Sequence, residues 1–404
     1  MSAAPVQRPA SGARGSLAGD VLETLQGVLG SPEAFVPLHE PRFAGNEWEY
    51  VKECIDTGWV SSAGKYVDRF EQMLAEVTGA RRAVAVVNGT AALHVALRLV
   101  GVERGDEVLI PALTFVATAN AVAYCGATPH FADSEEATLG MDPDALEDYL
   151  AGIAEVRDGA CVNRQTGRVI RAAVPMHTFG HPVRLGPLAE VCERYGIALV
   201  EDAAESLGSM YRGVHTGRIG RVGTLSFNGN KTITTGGGGA LITDDEALAD
   251  LAKHLTTTAK QPHRWAYHHD HVGYNYRLPN INAALGCAQV EQLDGFLASK
   301  RELASRYSEA FAGVKDVQFV EEPPESTSNY WLGALLLARG REDERDAVLA
   351  ATNDAGIMTR PVWSLMSSLP MYAGSPSMDL SVARGIVRRL INIPSSAFLV
   401  SDHA

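Results

Sequence analysis

Residues 226–243 read SFNGNKTITTGGGGALIT, and this stretch is the strongest guide to the fold. It places Lys231 among small residues and glycines, after one strand pattern and before another, and a solvated surface charge does not explain that setting. A lysine removed from water is a good nucleophile toward carbonyl groups. The run Gly236 to Gly239 is not a dinucleotide fingerprint, because the strand before and the helix after a GxGxxG motif are missing. We therefore expect a buried, reactive lysine on a loop between strands.

Two other segments carry polar groups just after strand patterns. Asn88, Gly89 and Thr90 link the run AVAVV to a helix pattern, so the helix start offers N–H groups and a hydroxyl to a phosphate. Taken alone, this pattern is more often an ordinary helix cap. Asp202 follows the apolar run IALV, and an acid at the carboxyl end of a parallel strand lies where ligands bind. A solvated strand end explains that acid equally well on its own.

Together the three segments predict a pyridoxal phosphate site. Lys231 would form the Schiff base, and Asp202 would keep the pyridine nitrogen protonated so that the ring accepts electrons. The helix start at Gly89 and Thr90 would bind the phosphate. The order of the three segments along the chain carries this prediction, since each is ambiguous by itself.

Short apolar runs alternate with amphipathic stretches over most of the chain. The runs AVAVV at 83, EVLIP at 107, RAAVPM at 171, IALVED at 197 and TLSFN at 224 indicate buried strands with helix patterns between them. This alternation predicts an α/β fold with a mainly parallel sheet. From about residue 282 one long helix pattern leads into a smaller α/β unit. We expect an N-terminal arm over 1–34, a large domain over 35–290 and a small C-terminal domain over 291–404.

Composition excludes several classes of protein. The 404 residues include 35 Lys and Arg against 48 Asp and Glu, and the net charge of −13 has the wrong sign for binding nucleic acid. Five cysteines without a CxxC pair predict reduced, buried thiols. No apolar run approaches the ~20 residues of a membrane helix. We expect a cytoplasmic protein that binds neither nucleic acid nor membrane, with a mobile terminus over residues 1–19.

Five motifs in order give the chain a family resemblance. The motifs VVNGTAALHVAL, IPALTFVATANAV, VEDAAESLGS, GTLSFNGNKTITTGGGGALIT and VGYNYRLPNINAALG resemble those of the DegT/DnrJ/EryC1/StrS sugar aminotransferases. The resemblance runs from about Val36 to Ser396 and implies the fold type I, aspartate-aminotransferase-like fold. Within the family, the opening VPLHEPRFAGNEWEYVKECIDTGWVSSAGKYV, the insert CVNRQTGRVIRAAVPMHTFGHP and the EDAAES segment resemble enzymes that aminate UDP-linked 4-keto-6-deoxy-N-acetylhexosamines of the legionaminic-acid or bacillosamine type.

The resemblance implies a role for each cofactor-site residue. It makes Lys231 the Schiff-base lysine and Asp202 the pyridinium partner. Phe115 would be the aromatic residue that stacks on the ring. The residues that would bind the phosphate are Gly89, Thr90 and Ser226. Asn275 would reach the cofactor phosphate of the neighbouring subunit. Glu205 departs from the commoner Gln or His beside the ring hydroxyl, and an acid there has to be protonated or paired.

Three residues are candidates for binding the substrate. His177 in PMHTFG follows a strand, and a core histidine with satisfied hydrogen bonds is an equally good explanation. Arg360 and Trp363 in MTRPVW resemble a segment at the substrate mouth, although a strand end packed on its own domain fits as well. The run from His263 to His271 lacks helical spacing, so we expect no metal site there. The family resemblance implies that this run is a loop lining the partner's pocket.

These observations predict an aminotransferase that moves an amino group, by family habit from glutamate, to the keto carbon of a nucleotide-linked 4-keto-6-deoxy sugar. The active unit is expected to be a homodimer with shared active sites. One alternative is a dTDP- or GDP-linked keto sugar as the acceptor, and another is a non-catalytic binding protein on the same fold. Sugar 3-dehydratases of the family replace the lysine by histidine, and the presence of Lys231 argues against that reaction.

Overall fold

The computed structural model describes residues 15–30 and 34–400. The helices are α1 Leu17–Leu29, α2 Glu47–Thr57, α3 Lys65–Thr78, α4 Gly89–Leu99, α5 Val116–Tyr124, α6 Pro143–Ile153, α7 Leu185–Tyr195, α8 Glu246–Thr256, α9 Asn280–Val290, α10 Leu293–Phe311, α11 Arg345–Asp354 and α12 Ser381–Arg389. Short 3₁₀ helices lie at Thr178–Gly180, Glu342–Glu344, Met366–Ser368, Pro370–Tyr372 and Ala397–Leu399.

The strands are β1 Arg82–Val86, β2 Glu107–Pro111, β3 Thr128–Ala132, β4 Ala154–Arg157, β5 Ala160–Asn163, β6 Ile170–Ala173, β7 Ala198–Asp202, β8 Met210–Tyr211, β9 Val214–His215, β10 Val222–Ser226, β11 Gly239–Thr243, β12 Val317–Phe319, β13 Ser326–Thr327, β14 Gly333–Leu337, β15 Arg360–Pro361 and β16 Leu390–Ile393.

The main sheet has the strand order β1-β11-β10-β7-β6-β2-β3. Strand β11 is antiparallel to both of its neighbours, whereas the remaining neighbours pair in parallel. Strands β2 and β11 are buried at every residue, as expected for strands covered on both faces by helices. The predicted α/β fold with a mainly parallel sheet is confirmed.

The functional residues share one edge of this sheet because the parallel strands end there. Strand β1 leads to Asn88, which caps α4, and β2 leads to Phe115 at the start of α5. Strand β7 ends at Asp202 and β10 at Ser226. Strand β11 runs the other way and begins here with Gly239, where an added Cβ would lie 2.5 Å from the carbonyl carbon of Asn88. A glycine is therefore needed for β11 to pass so close to the start of α4.

A second, antiparallel sheet with the order β12-β14-β16-β15 forms the core of the C-terminal unit. Helix α1 packs against this unit, and its Val21 and Leu25 are fully buried in a cluster that includes Tyr307, Phe311 and Val348. The expectation of a mobile terminus reaching residue 19 is thus wrong from Leu17 onward, since apolar residues at helical spacing give α1 a buried face. Residues 1–14 and 31–33 of the expected arm lie outside the described residues.

The prediction of one long helix from about residue 282 is wrong, because the structure has two helices there. Helix α9 ends at Val290 and α10 begins at Leu293, and Glu291 at the break accepts hydrogen bonds from Asn46, Tyr50 and Arg69. The break lets α9 pack on α2 and α3 while α10 packs on α1. The domain boundary near residue 290 stays a prediction.

Strand β3 and the β4-β5 hairpin have no counterpart in the sequence-based prediction. Strand β3 carries Pro129 and His130, which obscure its apolar pattern. The His130 ring is buried, with its two nitrogens 2.9 Å from the Glu107 carboxylate and 2.8 Å from the Tyr149 hydroxyl. A polar side chain is tolerated in this core strand because both ring nitrogens are hydrogen-bonded.

All five cysteines are buried and unpaired, as predicted. Within residues 15–30 and 34–400, no helix has the length and apolar character needed to cross a membrane.

Candidate active site

A cavity of about 380 Å³ opens at the edge where the parallel strands end. The start of α4, the ends of β7 and β10, the loop from β10 to β11 and a segment of the C-terminal unit form its walls. Its lining residues are Asn88, Gly89, Thr90, Leu93, Phe115, Ala117, Met176, Asp202, Ala204, Glu205, Ser226, Asn228, Asn230, Lys231, Gly238, Trp331 and Trp363. The structure therefore brings most of the predicted site residues together.

The Lys231 side chain is largely removed from solvent at the inner wall of the cavity, with 13% of its surface exposed. Its Nζ lies 3.3 Å from Oε1 of Glu205 and 3.9 Å from the ring centroid of Trp331. The ammonium is thus held between a carboxylate and an aromatic face. A carboxylate and an aromatic face are both suitable partners for a cationic group.

Glu205 is a buried acid that points toward Lys231. Its Oε2 accepts a hydrogen bond of 2.9 Å from the Phe179 N–H, which leaves Oε1 for the lysine. Burial raises the pKa of Glu205 to about 7, although the charge of Lys231 opposes that rise. The expectation that an acid at this position is either protonated or paired therefore agrees with the geometry.

Asp202 lies at the carboxyl end of β7 and is almost fully buried. Its Oδ2 accepts a 2.7 Å hydrogen bond from the Thr118 hydroxyl, and its Oδ1 accepts one of 3.2 Å from the Ala204 N–H. Burial raises its pKa, and these hydrogen bonds oppose the rise. Among the described residues Asp202 forms no ion pair within 4.0 Å, so its carboxylate is directed to the cavity without a fixed cation.

The start of α4 and the end of β10 form a compact polar corner. The Asn88 side chain accepts a 2.8 Å hydrogen bond from Ala91 N–H, while the N–H groups of Gly89 and Thr90 have no acceptor within the helix. An added Cβ at Gly89 would lie 2.9 Å from Cβ of Ser226. A glycine is required for the two elements to approach so closely. The N–H groups at this helix start and the hydroxyls of Thr90 and Ser226 belong to residues that line the same cavity, and such donors suit a phosphate.

Aromatic side chains form the mouth of the cavity. Phe115 is 48% exposed and meets Trp363 edge-on at 6.0 Å between ring centroids. Trp331 lines the inner wall and was not among the predicted site residues. Sequence reasoning also missed Thr118, which lies one helical turn after Phe115 and holds Asp202.

The comparisons with known proteins identify the family. The model of the DegT/DnrJ/EryC1/StrS aminotransferase family matches residues 41–404. The chain belongs to this family. It is 37% identical to the GDP-perosamine synthase of Escherichia coli O157:H7 over 368 residues, or 91% of this chain and 95% of that protein. The GDP-perosamine synthase of Caulobacter vibrioides is 37% identical over 367 residues, with coverages of 90% and 94%.

A solved structure supports the same assignment. The aminotransferase TlmJ from Streptoalloteichus hindustanus superimposes with a TM-score of 0.80 at 27% identity, covering 90% of this chain and 94% of that one. As a DegT/DnrJ/EryC1/StrS family member, the chain is a pyridoxal-phosphate-dependent aminotransferase of nucleotide sugars. The cavity fits that cofactor, because it combines a lysine amine, a buried acid without a fixed cation and a glycine-lined corner of hydrogen-bond donors.

The structure does not bring His177 or Arg360 to the cavity. His177 is fully buried, with Nε2 3.1 Å from Glu201 Oε2 and Nδ1 accepting from the Val183 N–H at 3.3 Å. It is therefore a core histidine, and its assignment to the substrate was wrong. Arg360 is exposed on β15 and does not line the cavity, whereas Trp363 does line it.

Asn275 lies outside the cavity of its own chain. It is exposed, and its Oδ1 accepts hydrogen bonds of 3.2 and 3.1 Å from the Arg277 guanidinium. The preceding segment carries three highly exposed apolar or aromatic side chains, Trp265, Tyr267 and Val272. An exposed apolar segment of this kind is typical of a surface that another chain covers.

The histidine-rich segment has one contact that the spacing does not reveal. The Asp270 carboxylate lies 2.6 Å from His254 of α8 and 2.9 Å from His271, and these hydrogen bonds keep the pKa of Asp270 below its usual range. The three ligand atoms lie within 4.8 Å of one another, which suits a metal ion in principle. Hydrogen bonding alone already accounts for this arrangement.

A second cavity of about 370 Å³ lies between α2 and α3 and includes Glu53, Trp59 and Tyr66 in its lining. It contains none of the predicted site residues. The predicted site residues that line a cavity are those around Lys231.

Proposed function

We propose that this enzyme transfers the amino group of glutamate to C4 of a nucleotide-linked 4-keto-6-deoxy sugar. The observation that carries the proposal is the placement of Lys231 Nζ, 3.3 Å from Glu205, in the same cavity as Asp202 and the polar corner at Gly89. When bound, pyridoxal phosphate supplies an electron-accepting ring that stabilises negative charge on the adjacent carbon. The protein then has to bind, orient and move protons.

Each residue of the cavity has a distinct task in that scheme. Lys231 Nζ would hold the cofactor between turnovers and, once released, would act as general base and acid for the proton that shifts between the two carbon atoms flanking the transferred nitrogen. Asp202, whose Oδ1 and Oδ2 accept hydrogen bonds from Ala204 and Thr118, would keep a proton on the pyridine nitrogen. The corner formed by Gly89, Thr90 and Ser226 would hold the phosphate, and Phe115 would cover the ring.

Glu205 places a carboxyl group within hydrogen-bond distance of Lys231. Its Oε1 accepts from the lysine while the amine is protonated, and its burial lets it take a proton when the lysine loses one. Paired groups whose protonation can exchange are a common way to run acid and base steps in one site.

For the acceptor we propose a UDP-linked 4-keto-6-deoxy-N-acetylhexosamine. The opening segment, the 161–182 insert and the EDAAES segment support this choice. A GDP-linked keto sugar is the second candidate, because the 37% identical relatives are named for a GDP-linked product.

A panel of UDP-, GDP- and dTDP-linked 4-keto-6-deoxy sugars tests the proposal. Each is incubated with enzyme, cofactor and ¹⁵N-glutamate, and NMR locates the ¹⁵N in the product. We expect nitrogen at C4 and the highest kcat/KM with the UDP sugar, and the Lys231→Ala variant is the matched control. A preference for the GDP sugar would replace the nucleotide assignment. Nitrogen at C3 would overturn the assignment of the carbon.

We also propose a homodimer in which Asn275 of one subunit reaches the cofactor phosphate of the other. The support is the exposure of Asn275 and of the Trp265, Tyr267 and Val272 side chains before it. A neutral amide adds a hydrogen bond to a phosphate that the α4 start already holds. The enzyme is expected to act in the cytoplasm.

A further inference from the structure

The indole of Trp331 contacts the amine of Lys231 although the two residues lie in different units of the molecule. Lys231 Nζ is 3.9 Å from the ring centroid, and Trp331 is buried at the inner wall of the cavity. We propose that Trp331 is a further catalytic residue, whose indole face holds the Lys231 ammonium while that lysine is free of the cofactor. The inference rests on the function proposed above and assigns a new part to it.

The charge of Lys231 makes an aromatic face useful here. A lysine released from a covalent bond inside a cavity needs a place that stabilises its ammonium without blocking the substrate. The Lys231 ammonium donates a hydrogen bond to Glu205 and also contacts the electron-rich face of the indole ring. The lysine thus stays within reach of the reacting carbons instead of swinging into solvent.

Trp331 is fixed at four points, which makes its ring a stationary surface. Its indole N–H donates a 2.6 Å hydrogen bond to the Asn230 carbonyl, next to Lys231 itself. Its backbone N–H donates to Asn329 Oδ1 at 2.8 Å. Its carbonyl accepts from the Ser395 hydroxyl at 2.7 Å and from Lys300 Nζ at 3.2 Å.

Lys300 acts through Trp331 and is therefore a positioning residue. It lies on α10, is fully buried, and also donates a 2.5 Å hydrogen bond to the Ser395 carbonyl. No carboxylate of the described residues forms an ion pair with it within 4.0 Å, and burial lowers its pKa to about 7. A buried amine without a counter-ion is costly. Its hydrogen bonds to the carbonyl groups of Trp331 and Ser395 compensate part of this cost and hold the two segments together.

Labelling of Lys231 in the cofactor-free enzyme tests the contact. Formaldehyde with cyanoborohydride methylates uncharged amines, and mass spectrometry of the Lys231 peptide gives the rate at a fixed pH. Trp331→Met removes the aromatic ring. Trp331→Phe keeps an aromatic ring in a side chain whose size is similar to that of Met. We expect Trp331→Met to raise the labelling rate about threefold and Trp331→Phe to stay near the wild-type rate.

Trp363→Met is the matched control, because Trp363 lines the same cavity but contacts Phe115 and Phe179. It should leave the labelling rate unchanged. Equal rates for Trp331→Met and Trp331→Phe, or an equal rise in Trp363→Met, would overturn the proposal, since cavity opening would then explain the effect. Circular dichroism at each step verifies that the variants are folded.

The same assay tests Lys300. The Lys300→Met variant keeps the aliphatic length but loses the donor to Trp331, so its labelling rate should lie between those of wild type and Trp331→Met. An unchanged rate would overturn the positioning role. The assay uses neither sugar nor cofactor, so these outcomes are independent of whether the proposed acceptor is right.

Discussion

At the scale of single residues, the site depends on acids whose protonation is set by burial. Asp202 and Glu205 are both almost fully buried, yet only Glu205 has a cationic partner in the described residues. The two carboxylates are therefore suited to different tasks, one for an incoming cationic ring and one for a lysine.

We expect Asp202→Asn to retain pyridoxal phosphate and lose transamination by orders of magnitude. The amide keeps the size of the side chain but cannot hold a proton on the pyridine nitrogen. Cofactor content from the visible spectrum and kcat with glutamate check this together. Turnover near the wild-type rate in the loaded variant would show that Asp202 is only structural.

Glu205 predicts a pH-dependent stability of the cofactor-free protein. Its folded pKa of about 7 lies above the usual value of 4.5, so its contribution is present below pH 4.5 and is lost as the pH rises through 7. Glu205→Gln lacks this titration. Its melting temperature relative to wild type should therefore rise from pH 5 to pH 8, measured by differential scanning fluorimetry. A constant difference across that range would contradict the assignment.

The sequence could reveal Lys231 and Asp202 because each stands out from its own neighbours. Trp331 could not be found in this way, since it contacts Lys231 from a stretch that begins a strand of another unit. Nothing in the local pattern around Trp331 indicates that contact. His177 shows the opposite case, because a histidine after a strand looks functional until its buried partner Glu201 is known.

At the scale of elements, the start of α4 is the part most sensitive to a single added atom. Strand β10 approaches so closely that Gly89→Ala would place Cβ 2.9 Å from Ser226 Cβ. We expect this variant to bind pyridoxal phosphate at least about tenfold more weakly, because the displaced N–H groups no longer face one phosphate. Spectroscopic titration of the cofactor-free protein measures the Kd.

Gly27→Ala is the control for that substitution. Gly27 lies in α1, and an added Cβ there meets nothing within 4 Å. Its Kd for the cofactor should equal that of wild type. An unchanged Kd in Gly89→Ala would show that the corner at Gly89 does not bind the cofactor phosphate.

Elements with a clear apolar period were predictable, and those defined by tertiary contacts were not. Strand β2 coincides with the run EVLIP. The break between α9 and α10 has no glycine or proline to mark it, and Glu291 is instead bonded there by residues of α2 and α3. Helix α1 was not predicted because its apolar face is buried only by packing against α10 and α11, which are distant in the sequence.

At the scale of the whole molecule, the proposed sharing of active sites between two subunits predicts complementation between two inactive variants. Lys231→Ala lacks the lysine, and under this proposal Asn275→Asp would bring a negative charge to the phosphate of the neighbouring subunit. After subunit exchange in an equal mixture, about a quarter of the wild-type activity should return, because half of the dimers are mixed and each has one intact site.

Each variant incubated alone is the control and should stay inactive. Native mass spectrometry verifies that mixed dimers have formed. Mixed dimers without activity would mean that each chain uses its own Asn275, whereas an active Asn275→Asp variant would mean that this residue does not reach the phosphate.

The central claim is that the reaction is built around Lys231. The most direct measurement is borohydride reduction of the enzyme loaded with pyridoxal phosphate, followed by proteolysis and mass spectrometry of every lysine-containing peptide. The account predicts the reduced cofactor on the peptide that contains Lys231 and a loss of that label in Lys231→Ala. Attachment to another lysine, or a protein that takes up no cofactor, would contradict it.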